Sequence, residues 1–295
     1  MAVGYYPGCA LHGTSNEYDR SIRKVNDIMG VDLVEINDWN CCGASSSHMT
    51  SHKLNVALNM RNLSLIESQE FKEVLAPCPL CSKAMIEVDK ELKEHPDLKN
   101  EISQEIGIKY NNTVKIINYL QFVEKYYLDK LDEKIKVKFE GIKAVCYYGC
   151  LLTRPPKILQ FDDAEQPTVM DEIVRRIGLE PLDWSFKTEC CGAGFALSKT
   201  ESVVHLCNKI LTNAKDAGAD IVVVACPMCH ANLDMRQSNI AREYGTKFKL
   251  PILYLSELIG LALGLTPKEL GINKHFTNAV KVFNKFVATT SRRLY

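Results

Sequence analysis

The sequence has no long apolar run. Its longest, Ile252 to Leu265, is broken by Ser256 and Glu257, and a membrane span needs about 20 apolar residues. Met1–Gly8 lacks both a basic start and an apolar stretch, so no secretory leader is expected. An excess of one charge is missing too. The 36 Lys and Arg balance 36 Asp and Glu, with no basic stripe, which argues against a nucleic-acid partner. No glycine-rich G-x-G-x-x-G follows a strand pattern, so no nucleotide or flavin site is expected. The close-packed cysteine run of a bacterial-type ferredoxin is also absent. A cytoplasmic location is expected.

Cysteine, by contrast, is abundant: 12 in 295 residues. Cytoplasmic thiols are kept reduced, so these point to metal ligation or catalysis ahead of a disulfide framework. Ten of the 12 fall in segments that occur twice in one order. Tyr5-Tyr6-Pro7-Gly8-Cys9 answers to Tyr147-Tyr148-Gly149-Cys150. Cys41-Cys42-Gly43-Ala44 answers to Cys190-Cys191-Gly192-Ala193, and Pro77-Cys78-Pro79-Leu80-Cys81 to Ala225-Cys226-Pro227-Met228-Cys229. A weaker fourth match sets Ile117-Asn118-Tyr119-Leu120 against Ile252-Leu253-Tyr254-Leu255. Two copies of one module are expected, as domains 1–140 and 141–295, with the boundary in the charged stretch Asp129–Gly141. The first copy is longer by the charged segment Asp89–Asn112, read as a solvated helix or loop.

Apolar runs that read as buried strands precede the cysteine segments: Ala2–Tyr6, Val31–Ile36, Glu73–Ala76, Lys143–Tyr148, Leu179–Trp184 and Ile221–Ala225. Helical patterns such as Tyr18–Met29, Leu54–Ile66 and Val203–Ala217 lie between them. The alternation predicts an α/β fold of two repeated domains with parallel sheets flanked by helices, related by pseudo-twofold symmetry. The cysteines would then gather at the carboxyl edges of the sheets, where open α/β sheets bind ligands.

Five cysteines per copy suit zinc poorly. A closed structural zinc site takes four ligands, and a zinc ribbon places its second pair about 15–20 residues from the first. Adjacent Cys41-Cys42 and Cys190-Cys191 diverge from one small ion but can reach separate irons of a cluster. Gly43 and Gly192 let backbone approach such a cluster. A non-enzymatic zinc scaffold is the third-ranked reading. Cys146, inside a strand pattern, and Cys207, inside a helix pattern, are expected to be packing residues.

The segments Cys9…Cys41-Cys42-Gly43…Cys78-Pro-Leu-Cys81 and Cys150…Cys190-Cys191-Gly192…Cys226-Pro-Met-Cys229 resemble the cysteine-rich CCG domain in two copies. Over nearly the whole chain the arrangement is similar to the catalytic-subunit family of heterodisulfide reductases from methanogenic archaea. The resemblance implies two non-cubane 4Fe-4S clusters, one per domain. The implied ligands are Cys9, Cys41, Cys42, Cys78 and Cys81, then Cys150, Cys190, Cys191, Cys226 and Cys229. It also implies an oxidoreductase that reduces the coenzyme M–coenzyme B heterodisulfide to two thiols in one-electron steps. Implied partners are a ferredoxin-like subunit and a flavin-containing subunit of heterodisulfide reductase, within a larger complex containing a hydrogenase or formate dehydrogenase. Relatives of the family include iron–sulfur subunits of glycolate and lactate oxidation systems. The alternative is therefore an electron-relay subunit of such a complex.

His12, His48 and His230 follow cysteine motifs and are candidate proton donors. Arg154, Lys157 and Lys187 are candidates for binding the anionic groups of the substrate. Ser256–Tyr295 is a candidate docking segment. The tyrosine pairs read as strand residues packing on the sheets.

Overall fold

The computed structural model describes residues 2–44 and 46–283, without the side chain of His48. Two four-stranded parallel sheets frame it. The first contains β1 (Val3–Tyr5), β2 (Leu33–Glu35), β3 (Glu73–Leu75) and β4 (Lys115–Ile117), in the order β2-β1-β3-β4. The second contains β5 (Lys143–Tyr147), β6 (Glu180–Pro181), β7 (Ile221–Val224) and β8 (Ile252–Tyr254), in the order β6-β5-β7-β8. The chain is thus two repeated α/β units. In each, the switch point lies between the first and third strands, the crevice where open sheets place ligands.

Strand register refines the repeat. β1 pairs Tyr5 with Leu75, and β5 pairs Cys146 with Val223. Aligning Cys78 with Cys226 makes Leu75 and Val223 equivalent, so Tyr5 matches Cys146 and Tyr6 matches Tyr147. Pairing the tyrosine doublets in sequence is therefore off by one residue at Pro7. The fourth match shifts too: Leu75 pairs with Ile117 and Val223 with Leu253, which sets Asn118, not Tyr119, at the place of Tyr254.

The helices start where residue chemistry allows. Pro79 and Pro227 open the helices Pro79–Glu94 and Pro227–Met235 at N1, where the missing N–H is not needed. Cys78 and Cys226 are their N-caps, in extended conformation. Helices Asn16–Met29, His52–Ser68 and Thr200–Asp216 match the apolar periodicity to within three residues. The charged segment after Asp89 differs from expectation. It forms the end of one helix and a second, Pro96–Ile106, and it buries Leu92, Ile102 and Tyr110. The Tyr110 hydroxyl donates to Asp89, itself buried, at 2.6 Å.

The halves share a large core. β7 is buried along its whole length, and each Val or Ile so buried contributes about 1.5–3 kcal/mol. The helix Leu255–Ala262 is fully buried and packs on Asn16–Met29, with Ser21 and Ser256 hydroxyls 2.6 Å apart. This part of the candidate docking segment is therefore internal: a helix that is apolar nearly all round is covered by the other half instead of a partner. Residues 284–295 of that segment lie outside the described residues. Tyr18 stacks on Tyr254 with ring centroids 4.1 Å apart, and its hydroxyl donates to the carbonyl of Ala225 at 3.3 Å. The segment Gly8–His12 lies against Pro227–Met235, and Pro156–Leu159 lies against Pro79–Glu94. Each half thus sets the segment after its first cysteine on the Cys-x-x-Cys helix of the other.

Candidate metal centre

All ten motif cysteines follow the carboxyl ends of strands β1, β2, β3, β5, β6 and β7. The sheets are parallel, so each set of five meets at one sheet edge. In the first half the sulfurs of Cys42 and Cys81 are 3.2 Å apart, and those of Cys9 and Cys41 are 3.7 Å apart. In the second, Cys191 and Cys229 are 3.5 Å apart. None is a disulfide; all 12 cysteines are free. Cys9, Cys41 and Cys190 are exposed and Cys150 is half-buried, while Cys42, Cys78, Cys81, Cys191, Cys226 and Cys229 are buried. Each centre is therefore closed beneath and open at one edge.

The backbone is shaped to sulfur. Gly8 and Gly149 have φ of +70° and +68°. A Cβ there would stand 3.1 Å from the Cys81 sulfur and 3.0 Å from the Cys229 sulfur, so tight that the sulfur would have to give way by a few tenths of an ångström. Gly43 N–H donates to the Cys41 sulfur at 3.4 Å, and Gly192 N–H to the Cys190 sulfur at 3.3 Å. Cys81 and Cys229 lie in first helical turns, with the positive end of the helix dipole beside the centre.

Hydrogen bonds between thiols split their acidities. Hydrogen bonding with Cys41 and Cys81 pulls Cys42 down to about 4, and with Cys150 pulls Cys190 down to about 6. The partners move the other way: the bond to Cys42 pushes Cys81 up, and the bond to Cys191 pushes Cys229 up. Without a cation few of these sulfurs can ionise together. Two unit charges about 3.5 Å apart repel by roughly 5 kcal/mol at an effective dielectric of about 20. Five crowded thiols per half, with backbone N–H donors aimed at sulfur, fit a polynuclear cationic centre. No group of three or more His, Cys, Asp or Glu among the described residues is arranged for a single metal ion.

Several supporting residues were given no part in the centre by the sequence, the tyrosines being read as packing alone. Tyr6 and Tyr147 lie beneath the sulfurs and donate to the carbonyls of Asn40 and Glu189, at 2.7 and 2.6 Å. They clamp the residue preceding each cysteine pair. Burial, then the neighbouring cysteines, push both phenols up. The recurring Tyr-x-Gly-Cys spacing was the available signal. Asn59 donates to the Cys42 carbonyl at 2.9 Å, and Asn232 to the Cys191 carbonyl at 3.2 Å. Cys207, at the place of Asn59 when counted back from Cys-x-x-Cys, has its thiol 3.8 Å from the same Cys191 carbonyl. Cys146 is buried in β5, and burial pushes its thiol up.

The other candidates separate. His12 is exposed, its Nε2 3.0 Å from Glu35 and its ring edge-on to Trp39 at 5.1 Å. His230 is buried, stacked on Tyr254 at 4.2 Å, with Nε2 3.1 Å from the Ile252 carbonyl. Burial, then His275, hold its pKa well below the usual histidine value. It packs inside the fold against Tyr254 and His275. The His48 side chain lies outside the described residues. Arg154 is half-buried and bonds Glu165 and Thr188, at 2.7 and 2.9 Å. Lys157 is exposed. Lys187 is buried, its ammonium 3.0 Å from both Asp171 and the Pro167 carbonyl. That ion pair engages its charge inside the fold.

The profile of the cysteine-rich CCG domain matches residues 3–86 and 144–234. The chain is 31% identical over 282 residues to the 8-methylmenaquinol:fumarate reductase membrane anchor subunit of Wolinella succinogenes, covering 94% of this chain and 98% of that one. It is 31% identical over 291 residues to a subunit of the ferredoxin:CoB-CoM heterodisulfide reductase of Methanosarcina mazei, covering 96% of each. A hypothetical protein of Helicobacter pylori shares the fold at a TM-score of 0.76 and 12% identity, over 94% of this chain and 52% of that one. No helix among the described residues is long and apolar enough to cross a membrane. The chain belongs to the CCG cysteine-rich domain family, with two copies of the domain, and is related over its length to a subunit of heterodisulfide reductase.

Proposed function

We propose that this chain is the disulfide-reducing subunit of an oxidoreductase, converting the coenzyme M–coenzyme B heterodisulfide to two thiols. The observation that carries the reading is the doubled five-cysteine cradle, complete in both halves and open at one edge of each. Cys9, Cys41, Cys42, Cys78 and Cys81 would hold one non-cubane 4Fe-4S cluster, and Cys150, Cys190, Cys191, Cys226 and Cys229 the other. When bound, the clusters would supply the two electrons one at a time. The chain's own part is geometric. The buried cysteines, the tyrosine clamps and the crossed packing of Gly8–His12 and Pro156–Leu159 hold the two open edges in a fixed relation. Arg154 and Lys157, beside the second edge in sequence, are the remaining candidates for anionic groups of the substrate.

Electrons arrive from partners on this reading: a ferredoxin-like subunit and a flavin-containing subunit, with a hydrogenase or formate dehydrogenase in the wider complex. The test is turnover of the heterodisulfide by anaerobically purified protein with an artificial reductant. Thiol release at wild-type iron loading is the expected result, and none at full loading overturns it. A second reading, an electron-relay subunit of a glycolate or lactate oxidation complex, draws on the equally similar relative named for quinol:fumarate reduction. It predicts reversible cluster reduction without disulfide turnover.

A further inference from the structure

His12 has its own supporting apparatus at the open edge of the first centre. It lies three residues after Cys9 on the helical turn Gly8–His12, so the two side chains share a face. Cys9 and Cys41 are the exposed sulfurs of that centre. The Glu35 carboxylate gathers His12 Nε2 at 3.0 Å, Arg23 at 2.6 Å and the Trp39 indole N–H at 3.2 Å. Arg23 is braced by Asp19 at 2.9 Å and lies over the Tyr5 ring, whose hydroxyl also bonds Asp19. Trp39 packs edge-on against both His12 and Tyr6, at 5.1 and 5.3 Å, and Tyr6 clamps the residue before Cys41. His12 is thereby tied through Trp39 to the loop that carries the exposed sulfur. The second half differs at this place. Three residues after Cys150 stands Thr153, fully buried, with its hydroxyl directed to the Ala164 carbonyl.

We propose that His12 is the proton donor to the sulfur released at the first centre, with Glu35 as its positioning residue, and that the second half has no such donor at the matching place, where Thr153 stands. The inference rests on the disulfide-reduction reading. Reduction breaks the S–S bond with two electrons from a one-electron donor protein and forms two thiolates. One takes its proton from the His12 side chain, which is exposed and can regain a proton from solvent. The other takes its proton from water. The thiolate leaving the second centre is therefore the one that needs less help, the conjugate base of the more acidic thiol.

The test compares wild type, His12→Gln and Glu35→Gln at matched iron content. Substrates are the coenzyme M–coenzyme B heterodisulfide and symmetric disulfides of thiols that differ in acidity. His12→Gln is expected to lose about 10²-fold in kcat with little change in KM, most for the least acidic thiols. Glu35→Gln should lose less. A readout independent of turnover is diethyl pyrocarbonate labelling of wild-type His12, read by mass spectrometry against the exposed His52 and His205. Bound heterodisulfide should suppress labelling of His12 alone. Wild-type rate and acidity dependence in His12→Gln, or labelling of His12 unaffected by the disulfide, overturns the proposal while leaving the disulfide reading intact. Absence of disulfide turnover by the wild type overturns both.

Discussion

In the first half the buried cysteines belong to a small core of their own, with Tyr6, Val56, Met60 and Met85 around Cys42, Cys78 and Cys81. In the second half Cys191, Cys226 and Cys229 belong to the large core that also forms the junction between the halves. One cradle therefore sits in two mechanical settings. The first can loosen locally, whereas disturbance of the second reaches β7, β8 and the helix Leu255–Ala262. Local opening follows such divisions of contact.

The largest effects should come from the cysteines proposed as ligands. Cys78→Ser and Cys226→Ser are each expected to lower activity by more than about 100-fold, beyond the usual effect of changing a residue that only supports a ligand. Their melting curves should differ. Cys226→Ser should lower the main transition of the whole chain, while Cys78→Ser should chiefly add an early, partial one. Identical melting curves would erase the contrast between the halves.

Gly8→Ala and Gly149→Ala come next. A left-handed backbone costs an alanine about 1–2 kcal/mol, and the new methyl presses on Cys81 or Cys229. Both variants should load less metal, measured by iron content against Tm. A freely loaded Gly149→Ala would show that the close approach to sulfur is not needed.

The charged pair of the second half predicts a pH effect with a direction. Glu257 occupies the place of Gln121 in the first half, each at N3 of a capping box. Glu257 and His275 are buried 2.9 Å apart. Burial raises the Glu257 carboxyl despite the opposing pull of His275. Burial lowers His275, but Glu257, Asp234 and Glu17 outweigh it, so its pKa lies above 6.5 in the fold; His230, kept neutral, packs on the same ring. A raised folded pKa gives stability that is full below the unfolded value and lost as pH rises through the folded one. Tm should therefore fall on the alkaline side of pH 6.5, and Glu257→Gln, which imports the first-half residue, should flatten that slope. An unchanged slope would assign it elsewhere.

The smallest effects belong to the clamps. Tyr6→Phe and Tyr147→Phe each remove one hydrogen bond to a carbonyl, about 0.5–1.5 kcal/mol, seen as a shift in denaturation midpoint. The Tyr147 variant should lower the global midpoint more, because Tyr147 lies in the shared core.

The repeat, the parallel sheets and the convergence of the cysteines were legible because the inner strands β1, β3, β5 and β7 are apolar and lead into a motif; the edge strands β2 and β6, expected to be buried, are short and at most half-buried. What could not be read depended on contacts distant in sequence. The equivalence of Tyr6 with Tyr147 is masked by Pro7, which interrupts the doublet, and only strand register reveals it. Lys187 sits two residues before Glu189 and the cysteine pair, yet Asp171 draws it into the interior. Leu255–Ala262 is apolar nearly all round, a pattern that does not say which surface covers it. The role of Asn59 was hidden because Cys207 stands in its place in the other copy, and Asn232 reaches the same carbonyl from another helix.

The most direct test of two metal centres, one in each half, is iron and zinc analysis of strictly anaerobic protein, repeated on Cys78→Ser and Cys226→Ser. Two four-iron centres would give about eight irons per chain, and about half of that in either variant. Four or fewer irons in the wild type, or zinc in their place, would contradict it.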